Sequence, residues 1–278
     1  MSLIVGGYYR VRDYINFLQN NFKHLSISQI KELISYIFNI KYEEIPFKMD
    51  ELYIYDTDVS KVFEKIGKKY PVNYITKKRY FYGLEFYVDE AVLIPRYETE
   101  VLVEEVLKRY NKGFMLDLCT GSGCIPISII KNSKKKIKGV GVDISINALK
   151  IARFNSIKHS VEDKLSFLNF DVLNIERLFK GGITFDFITC NPPYVDRSSN
   201  FEDSILYEPE QALFAEDEGL LFYKKLLSKL PKLCKKGGII FFEIPWDKLD
   251  KIKEIFKDKD FEFVRDLSGK ERVLIWRN

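Results

Sequence analysis

The chain has 278 residues, enough for two domains, and its 46% hydrophobic and 15% aromatic content can build real cores. Charged residues make up 30% but nearly cancel, leaving a net charge of +4. That balance argues against gripping nucleic acid by bulk electrostatics, though not against a local patch. Four cysteines (Cys119, Cys124, Cys190, Cys234) without C-x-x-C spacing and two distant histidines (His24, His159) predict no metal site and no disulfide framework. They fit a reducing compartment. The N-terminal run Met1-Ser-Leu-Ile-Val-Gly-Gly is too short for a signal peptide, and no apolar stretch approaches membrane-spanning length. The expected location is the cytoplasm, with no membrane partner.

From about Tyr8 to Tyr70 the pattern is helical. Ser26-Ile-Ser-Gln29 resembles a capping box opening a helix whose stripe is Ile30, Leu33, Ile34, Ile37 and Phe38. Tyr8 to Phe22 and Val59 to Ile66 carry similar stripes, which predicts a small bundle whose aromatic residues form its core. Tyr80 to Val88 is aromatic and β-branched around Gly83, the signature of a hairpin, with Lys77-Lys78-Arg79 read as a solvated edge. Val92 to Glu100 places Pro95, Arg96, Glu98 and Glu100 just ahead of an amphipathic helix, Val101 to Arg109. The carboxylates suit a helix N-terminus, and the segment also suits a loop that covers a ligand.

From Phe114 onward strands and helices alternate, the mark of a parallel α/β sheet with right-handed crossovers. Strands are predicted near 114–118, 137–143, 164–169, 184–190 and 237–243, with helices near 124–132, 145–156 and 217–234. A helix from Trp246 to Phe256 and a closing strand pair, Phe261 to Arg265 and Arg272 to Trp276, complete the chain. Lys131 to Lys138 carries five lysines at a helix end and reads as a solvated face.

The chemistry concentrates where strands end. Asp117-Leu-Cys119-Thr120-Gly121-Ser122-Gly123 follows a strand and opens a helix, so glycines let the backbone approach a ligand at the helix's positive end. It is not the dinucleotide fingerprint, because Pro126 occupies the third glycine position. An adenosine ligand without phosphates and with an amino-acid tail fits better, with Asp117 meeting an ammonium group. Asp143 ends the second strand and would take ribose hydroxyls, and Asp171, after the third, would accept from an adenine amine. Each aspartate alone would be read as a helix cap. Three at successive strand ends, followed by Asn191 at the fourth, form a constellation at the edge where open α/β sheets bind ligands.

Asn191-Pro192-Pro193-Tyr194 is the central stretch. Two prolines lock φ and remove two N–H groups, so the Asn191 side-chain oxygen and the Pro192 carbonyl form a rigid pair of acceptors. With the Tyr194 ring as a plate, they would hold a planar conjugated NH2 group. The same tetrapeptide would also serve as an ordinary turn.

This arrangement is that of S-adenosylmethionine-dependent methyltransferases. The chain resembles more closely the PrmC/HemK family of peptide chain release factor glutamine methyltransferases. The resemblance is carried by Pro71 to Ile75, Val92 to Glu100, Asp117 to Gly123, Asn191 to Tyr194, Tyr207-Glu208-Pro209 with Ala212-Leu213, Glu218 to Leu220 and Asp266 to Arg272, and it runs from about residue 60 to the end. It implies a Rossmann-like class I methyltransferase fold of the α/β class, with a mostly parallel seven-stranded sheet and a small N-terminal helical domain. The implied layout is a helical bundle at 1–75 that docks the substrate protein, a β-hairpin linker at 76–96 and a methyltransferase domain at 97–278.

The implied reaction is N5-methylation of the glutamine in the Gly-Gly-Gln motif of class 1 peptide chain release factors, which are the expected protein partners. The cofactor is S-adenosyl-L-methionine and the product S-adenosyl-L-homocysteine. Asp117, Cys119, Thr120, Gly121, Ser122, Gly123, Asp143, Asp171, Val172 and Asn191 are the cofactor-binding candidates. Asn191, Pro192, Pro193 and Tyr194 would hold the glutamine, with Asn191, Pro192 and Tyr194 carrying catalysis. Tyr97 stands where the family usually has proline, and Cys119 and Lys77 stand where it has glycine. Rival readings are a ribosomal-protein glutamine or adenine-N6 methyltransferase and a non-catalytic cofactor-binding module. The lack of a separate basic recognition domain speaks against nucleic acid, and an intact Asn191 to Tyr194 speaks against the binder.

Overall fold

A computed structural model describes residues 9–53, 58–134, 136–179, 181–201 and 203–278. The Met1 to Gly7 run, the first residue of the Tyr8 stripe and Lys135 of the lysine run lie outside the described residues. The chain forms two compact units, one reaching to Lys77 together with Asp203–Tyr207, the other comprising Lys78–Glu202 and Glu208–Asn278. The hairpin read as a linker therefore lies in the larger unit.

Among the described residues, the smaller unit holds four α-helices, α1 (Val11–Asn21), α2 (Ile27–Phe38), α3 (Val59–Gly67) and α4 (Val72–Thr76). The capping box is present: Gln29 N–H donates to Ser26 Oγ at 3.2 Å and Ser26 N–H to Gln29 Oε1 at 2.9 Å. The stripes pack as their spacing requires, with Tyr14 and Leu18 of α1, Leu33 and Ile37 of α2 and Val62 and Ile66 of α3 in one core. A two-residue antiparallel ribbon, β1 (Tyr9–Arg10) with β2 (Leu52–Tyr53), was not expected from the helical pattern. It is too short to carry an alternation signal.

In the larger unit, β3 (Lys78–Phe81) and β4 (Leu84–Tyr87) pair as a hairpin across Tyr82 and Gly83, both at positive φ. The helix α5 (Glu100–Arg109) follows. Then β5 (Gly113–Leu118), α6 (Cys124–Asn132), β6 (Ile137–Asp143), α7 (Ile146–Lys158), β7 (Leu165–Asn169) and β8 (Phe185–Cys190) alternate as anticipated, with a short α8 (Ile175–Leu178) between β7 and β8 that the sequence pattern did not predict. After two more short helices, α9 (Glu210–Leu213) and α10 (Leu221–Leu226), come β9 (Cys234–Glu243), α11 (Leu249–Phe256), β10 (Asp260–Arg265) and β11 (Glu271–Arg277).

Seven strands form one sheet in the order β10–β11–β9–β8–β5–β6–β7. The pairs from β9 through β7 are parallel, and β11 is antiparallel to both its neighbours. Alternation splits the apolar side chains between two cores: Leu116, Leu118, Ile188, Cys190, Ile240 and Phe242 on one face, Met115, Phe187, Phe241 and Ile275 on the other. Three polar residues, Asp117, Thr189 and Glu243, follow the second set in register and lie buried near the strand ends. The long helix expected at 217–234 is instead a 3-10 turn at Asp217–Gly219, the two-turn α10 and a second 3-10 turn at Leu230–Lys232. Left-handed backbone at Asp217, Glu218 and Gly219 blocks its start, and Pro231 ends it by lacking an N–H and crowding the preceding turn.

Candidate functional site

A cleft of about 890 Å³, counting the space open to solvent, lies along the C-terminal ends of β5, β6 and β8. It is lined by Cys119, Thr120, Gly121 and Ser122 from the turn after β5, by Asp143, Ile144 and Ser145 after β6, by Asp171 and Val172 after β7, and by Asn191 and Pro193 after β8. Parallel strands joined by crossovers bring these turns together although they are far apart in sequence. The other wall comes from Ala91 to Leu93, Pro95, Arg96, Thr99, Pro209, Gln211, Ala212 and Phe222.

The turn after β5 is built on positive-φ residues: Cys119 at 59°, Gly121 at 54° and Gly123 at 78°. A Cβ on Gly121 would meet nothing within 4 Å, whereas one on Gly123 would reach 2.9 Å from Ile127 Cδ1 and 3.3 Å from the Ala152 Cβ. Gly121 thus opens the cleft, and Gly123 lets α6 and α7 pack closely. Contact with the Cys190 thiol, together with burial, holds the Cys119 thiol well above its ordinary range. Cys119 is a wall of the cleft and no thiolate nucleophile.

Asp143 accepts from Gly121 N–H at 2.8 Å through Oδ2 and from Ser145 N–H at 2.9 Å through Oδ1. Burial raises its pKa despite these bonds. Each oxygen retains a second lone pair for a ligand hydroxyl. Ser145, not Asp143, caps α7, its hydroxyl accepting from Ala148 N–H at 3.2 Å. Asp171 is both cap and wall: Oδ1 accepts from Leu173 N–H at 2.8 Å and Oδ2 from Asn174 Nδ2 at 2.7 Å.

Asp117 departs from its expected place. It is fully buried, does not line the cleft, and takes the Thr120 hydroxyl at 2.5 Å and the Thr189 hydroxyl at 2.6 Å. Burial pushes its pKa up to about 7. It braces the glycine turn from beneath, because its in-register position on β5 points it at Thr189 of β8 and at Thr120. Gly123, Pro192 and Tyr194 are likewise absent from the lining.

Asn191 reaches the cleft, and its Nδ2 donates to Thr99 Oγ1 at 3.4 Å, leaving Oδ1 without a donor among the described residues. Tyr194 turns into the protein and donates from its hydroxyl to Glu243 Oε1 at 3.0 Å, and burial pushes its pKa well upward. Gly219 packs on the tetrapeptide so closely that a Cβ there would lie 2.1 Å from the Tyr194 carbonyl oxygen.

Two features escaped the sequence reading. Glu243, only 2% exposed, ends β9 beneath Tyr194; the signal was a carboxylate closing an apolar strand. The second is a clasp across the cleft wall. Arg96 Nη2 donates to Glu208 Oε1 at 2.6 Å, Ile94 N–H donates to Glu208 Oε2 at 2.9 Å, and Arg96 Nη1 donates to the Ile94 carbonyl at 3.0 Å. Next to it, Arg79 Nε donates to the Pro95 carbonyl at 2.8 Å and its guanidinium lies 4.0 Å from the Tyr97 ring centroid. Tyr97, where the family usually has proline, is thereby held by a stacking cation.

The cleft has carboxylates at one end, apolar Ile144, Val172 and Pro193 along its side and an amide acceptor at the other end. That donor set suits a ligand combining hydroxyls with an aromatic ring, and an NH2-bearing substrate beside it. Comparison with known proteins agrees. A family described as "Methyltransferase domain" matches residues 111–275. A "Release factor glutamine methyltransferase" of Clostridium acetobutylicum is 35% identical over 259 residues, 88% of this chain and 86% of that one. Its namesake in Thermodesulfovibrio yellowstonii is 36% identical over 276 residues, covering 90% and 97%. Among solved structures, a methyltransferase from Pyrococcus furiosus superposes with a TM-score of 0.51 at 18% identity, covering 70% of this chain and 89% of that one, a likeness of fold. Identity of this extent, spread over nearly the whole of both chains, leaves one conclusion: the chain belongs to the release factor glutamine methyltransferase family.

Proposed function

We infer that the protein transfers a methyl group from S-adenosylmethionine to the side-chain amide nitrogen of the glutamine in the Gly-Gly-Gln motif of class 1 release factors. The observation that carries the reading is the Asn191 side chain at the cleft, its Oδ1 without a donor among the described residues, in a chain of this family. An amide nitrogen is a weak nucleophile because its lone pair is delocalised. S-adenosylmethionine supplies, when bound, an electrophilic methyl group on a sulfonium sulfur. Asp143 would hold the ribose hydroxyls, Asp171 and Val172 the adenine, and Cys119 to Ser122 the amino-acid tail. Asn191 Oδ1 and the Pro192 carbonyl each accept one hydrogen of the substrate NH2, which fixes the plane of the amide and the direction of its lone pair.

Among the described residues, no histidine lines the cleft. None is required, because the amide nitrogen becomes acidic once alkylated and loses its proton to water. The work done by the chain is orientation and exclusion of water. The smaller helical unit would dock the release factor, a role supported by its lack of chemistry of its own. No helix among the described residues is long and apolar enough to cross a membrane, in keeping with action on translation factors in the cytoplasm.

The test uses labelled S-adenosylmethionine and a release factor, either wild type or with its Gly-Gly-Gln glutamine replaced. Label enters only the wild-type factor; label on the replaced factor, or on DNA in its place, overturns the assignment. Asn191→Ala lowers turnover by about a hundredfold while cofactor affinity changes little. Near-normal turnover in that variant sinks the mechanism.

A further inference from the structure

Glu243 is a buried carboxyl with no work assigned to it. The register of β8 on β9 pairs Thr189 with Phe241 and Cys190 with Phe242, so its continuation sets Asn191 beside Glu243. Alternation then puts both side chains on the same face of the sheet. Glu243 Oε1 accepts the Tyr194 hydroxyl at 3.0 Å. The Thr99 hydroxyl lies beside the same carboxyl, and that hydroxyl is the one that accepts from Asn191 Nδ2 at 3.4 Å. The Tyr223 hydroxyl donates to the Glu243 main-chain carbonyl at 2.8 Å, which pins the backbone at this point.

Among the described residues the carboxyl has no salt bridge. Arg272, the cation whose field reaches it, is engaged by Asp266 at 2.8 Å, and Glu98 adds a like charge. Oε2 is enclosed and has no hydrogen-bond partner among the described residues. Burial raises the pKa of such a group, so that it is held toward its neutral form. For stability alone an apolar side chain of similar volume would serve this place as well or better. What only a hydrogen-bonding group can do here is hold the Tyr194 hydroxyl and crowd Thr99 against Asn191.

We propose that Glu243 is a positioning residue for methyl transfer, a single buried carboxyl that fixes both ends of the acceptor tetrapeptide, Tyr194 directly and Asn191 through Thr99. The proposal rests on the reading of Asn191 and Pro192 as the acceptors of the substrate amide. Glu243 lies outside the cleft lining, so its loss displaces the substrate's acceptors and leaves the cofactor's own contacts in place.

The experiment compares full-length Glu243→Ala, Glu243→Gln and Asn191→Ala with wild type. It reads kcat on a release factor by transfer of labelled methyl and the dissociation constant of S-adenosylhomocysteine by calorimetry. Glu243→Ala is expected to lower kcat by about a hundredfold with the dissociation constant within about threefold, because a displacement of an ångström at the reacting amide has that effect. Glu243→Gln keeps an acceptor for the Tyr194 hydroxyl and is expected to stay within about threefold of wild type in both quantities.

Glu243→Ala with normal kcat beside a slow Asn191→Ala overturns the proposal and leaves the functional reading standing. Normal kcat in Asn191→Ala overturns the reading and the proposal with it. A Gln variant as slow as the Ala variant, or an Ala variant losing cofactor affinity in step with kcat, shows a merely structural role and overturns the proposal. Should Glu243→Ala fail to fold, Tyr194→Phe and Thr99→Val carry the same test. The first keeps the aromatic ring and removes only the hydroxyl on Glu243. Lowered kcat at unchanged cofactor affinity in both supports the proposal, and normal kcat in either overturns it.

Discussion

Replacing Asp117 by asparagine should change how the stability of the protein depends on pH. Asp117 is completely buried, and desolvation lifts its pKa from the ordinary 3.8 to about 7, against the pull of the Thr120 and Thr189 hydroxyls. Because the folded value lies above the unfolded one, the folded state binds the proton more tightly. Stability from this group is fully present below about pH 3.8 and is lost as pH rises through 7. A rise of that size corresponds to roughly 4 kcal/mol over the full range, of which roughly 2–3 kcal/mol falls between pH 5 and pH 8.

An asparagine at 117 is uncharged throughout and can still bond both hydroxyls, accepting from one and donating to the other. Urea unfolding of wild type and Asp117→Asn at pH 5, 6, 7 and 8 isolates this group, since the pH dependence of Asp143 and Glu243 is common to both proteins. The stability of the variant relative to wild type should grow by roughly 2–3 kcal/mol from pH 5 to pH 8. A gap that stays constant across that range refutes the assignment of a raised pKa to Asp117.

Two further substitutions test the cleft wall and a strained turn. Glu208→Ala removes the acceptor of both Ile94 N–H and Arg96, a carboxylate whose side chain is only 4% exposed. An orphaned buried N–H costs about 1–3 kcal/mol, and the part that falls on ordering the 92–96 wall should weaken S-adenosylhomocysteine binding about tenfold by calorimetry; unchanged affinity would separate the clasp from the cofactor site. Lys77 sits at φ 58° and ψ 27° as the C-cap of α4, a left-handed conformation that suits glycine. Lys77→Gly should raise stability by about 0.5–1 kcal/mol in urea unfolding after allowing for glycine's freer unfolded chain, and a loss of stability would show that the interactions of the Lys77 side chain outweigh its backbone strain.

Much of this architecture was legible in the residues. Apolar runs of strand length, the α2 capping box and the Tyr82-Gly83 turn are local signals, and they place elements within three residues of where they lie. The two positions where the family usually has glycine, Lys77 and Cys119, both adopt positive φ. The family pattern thus encoded a backbone conformation that this chain reaches with a different side chain. The helix expected at 217–234 failed because its apolar spacing outweighed, on paper, the breaks at Gly219 and Pro231.

The sequence by itself determined the alternation of strands and helices from β5 to β8, the aspartates near the ends of three strands, and the acceptor character of Asn191 and Pro192, because periodicity and proline chemistry act over a few residues. The tertiary structure alone decided which of those polar groups face a ligand. Strand register turned Asp117 toward Thr189 and away from the cleft, and it set Glu243 under Tyr194. Chain crossovers joined Arg96 to Glu208 across 112 positions. Burial and pairing of that kind depend on which elements become neighbours, and no local pattern carries that information.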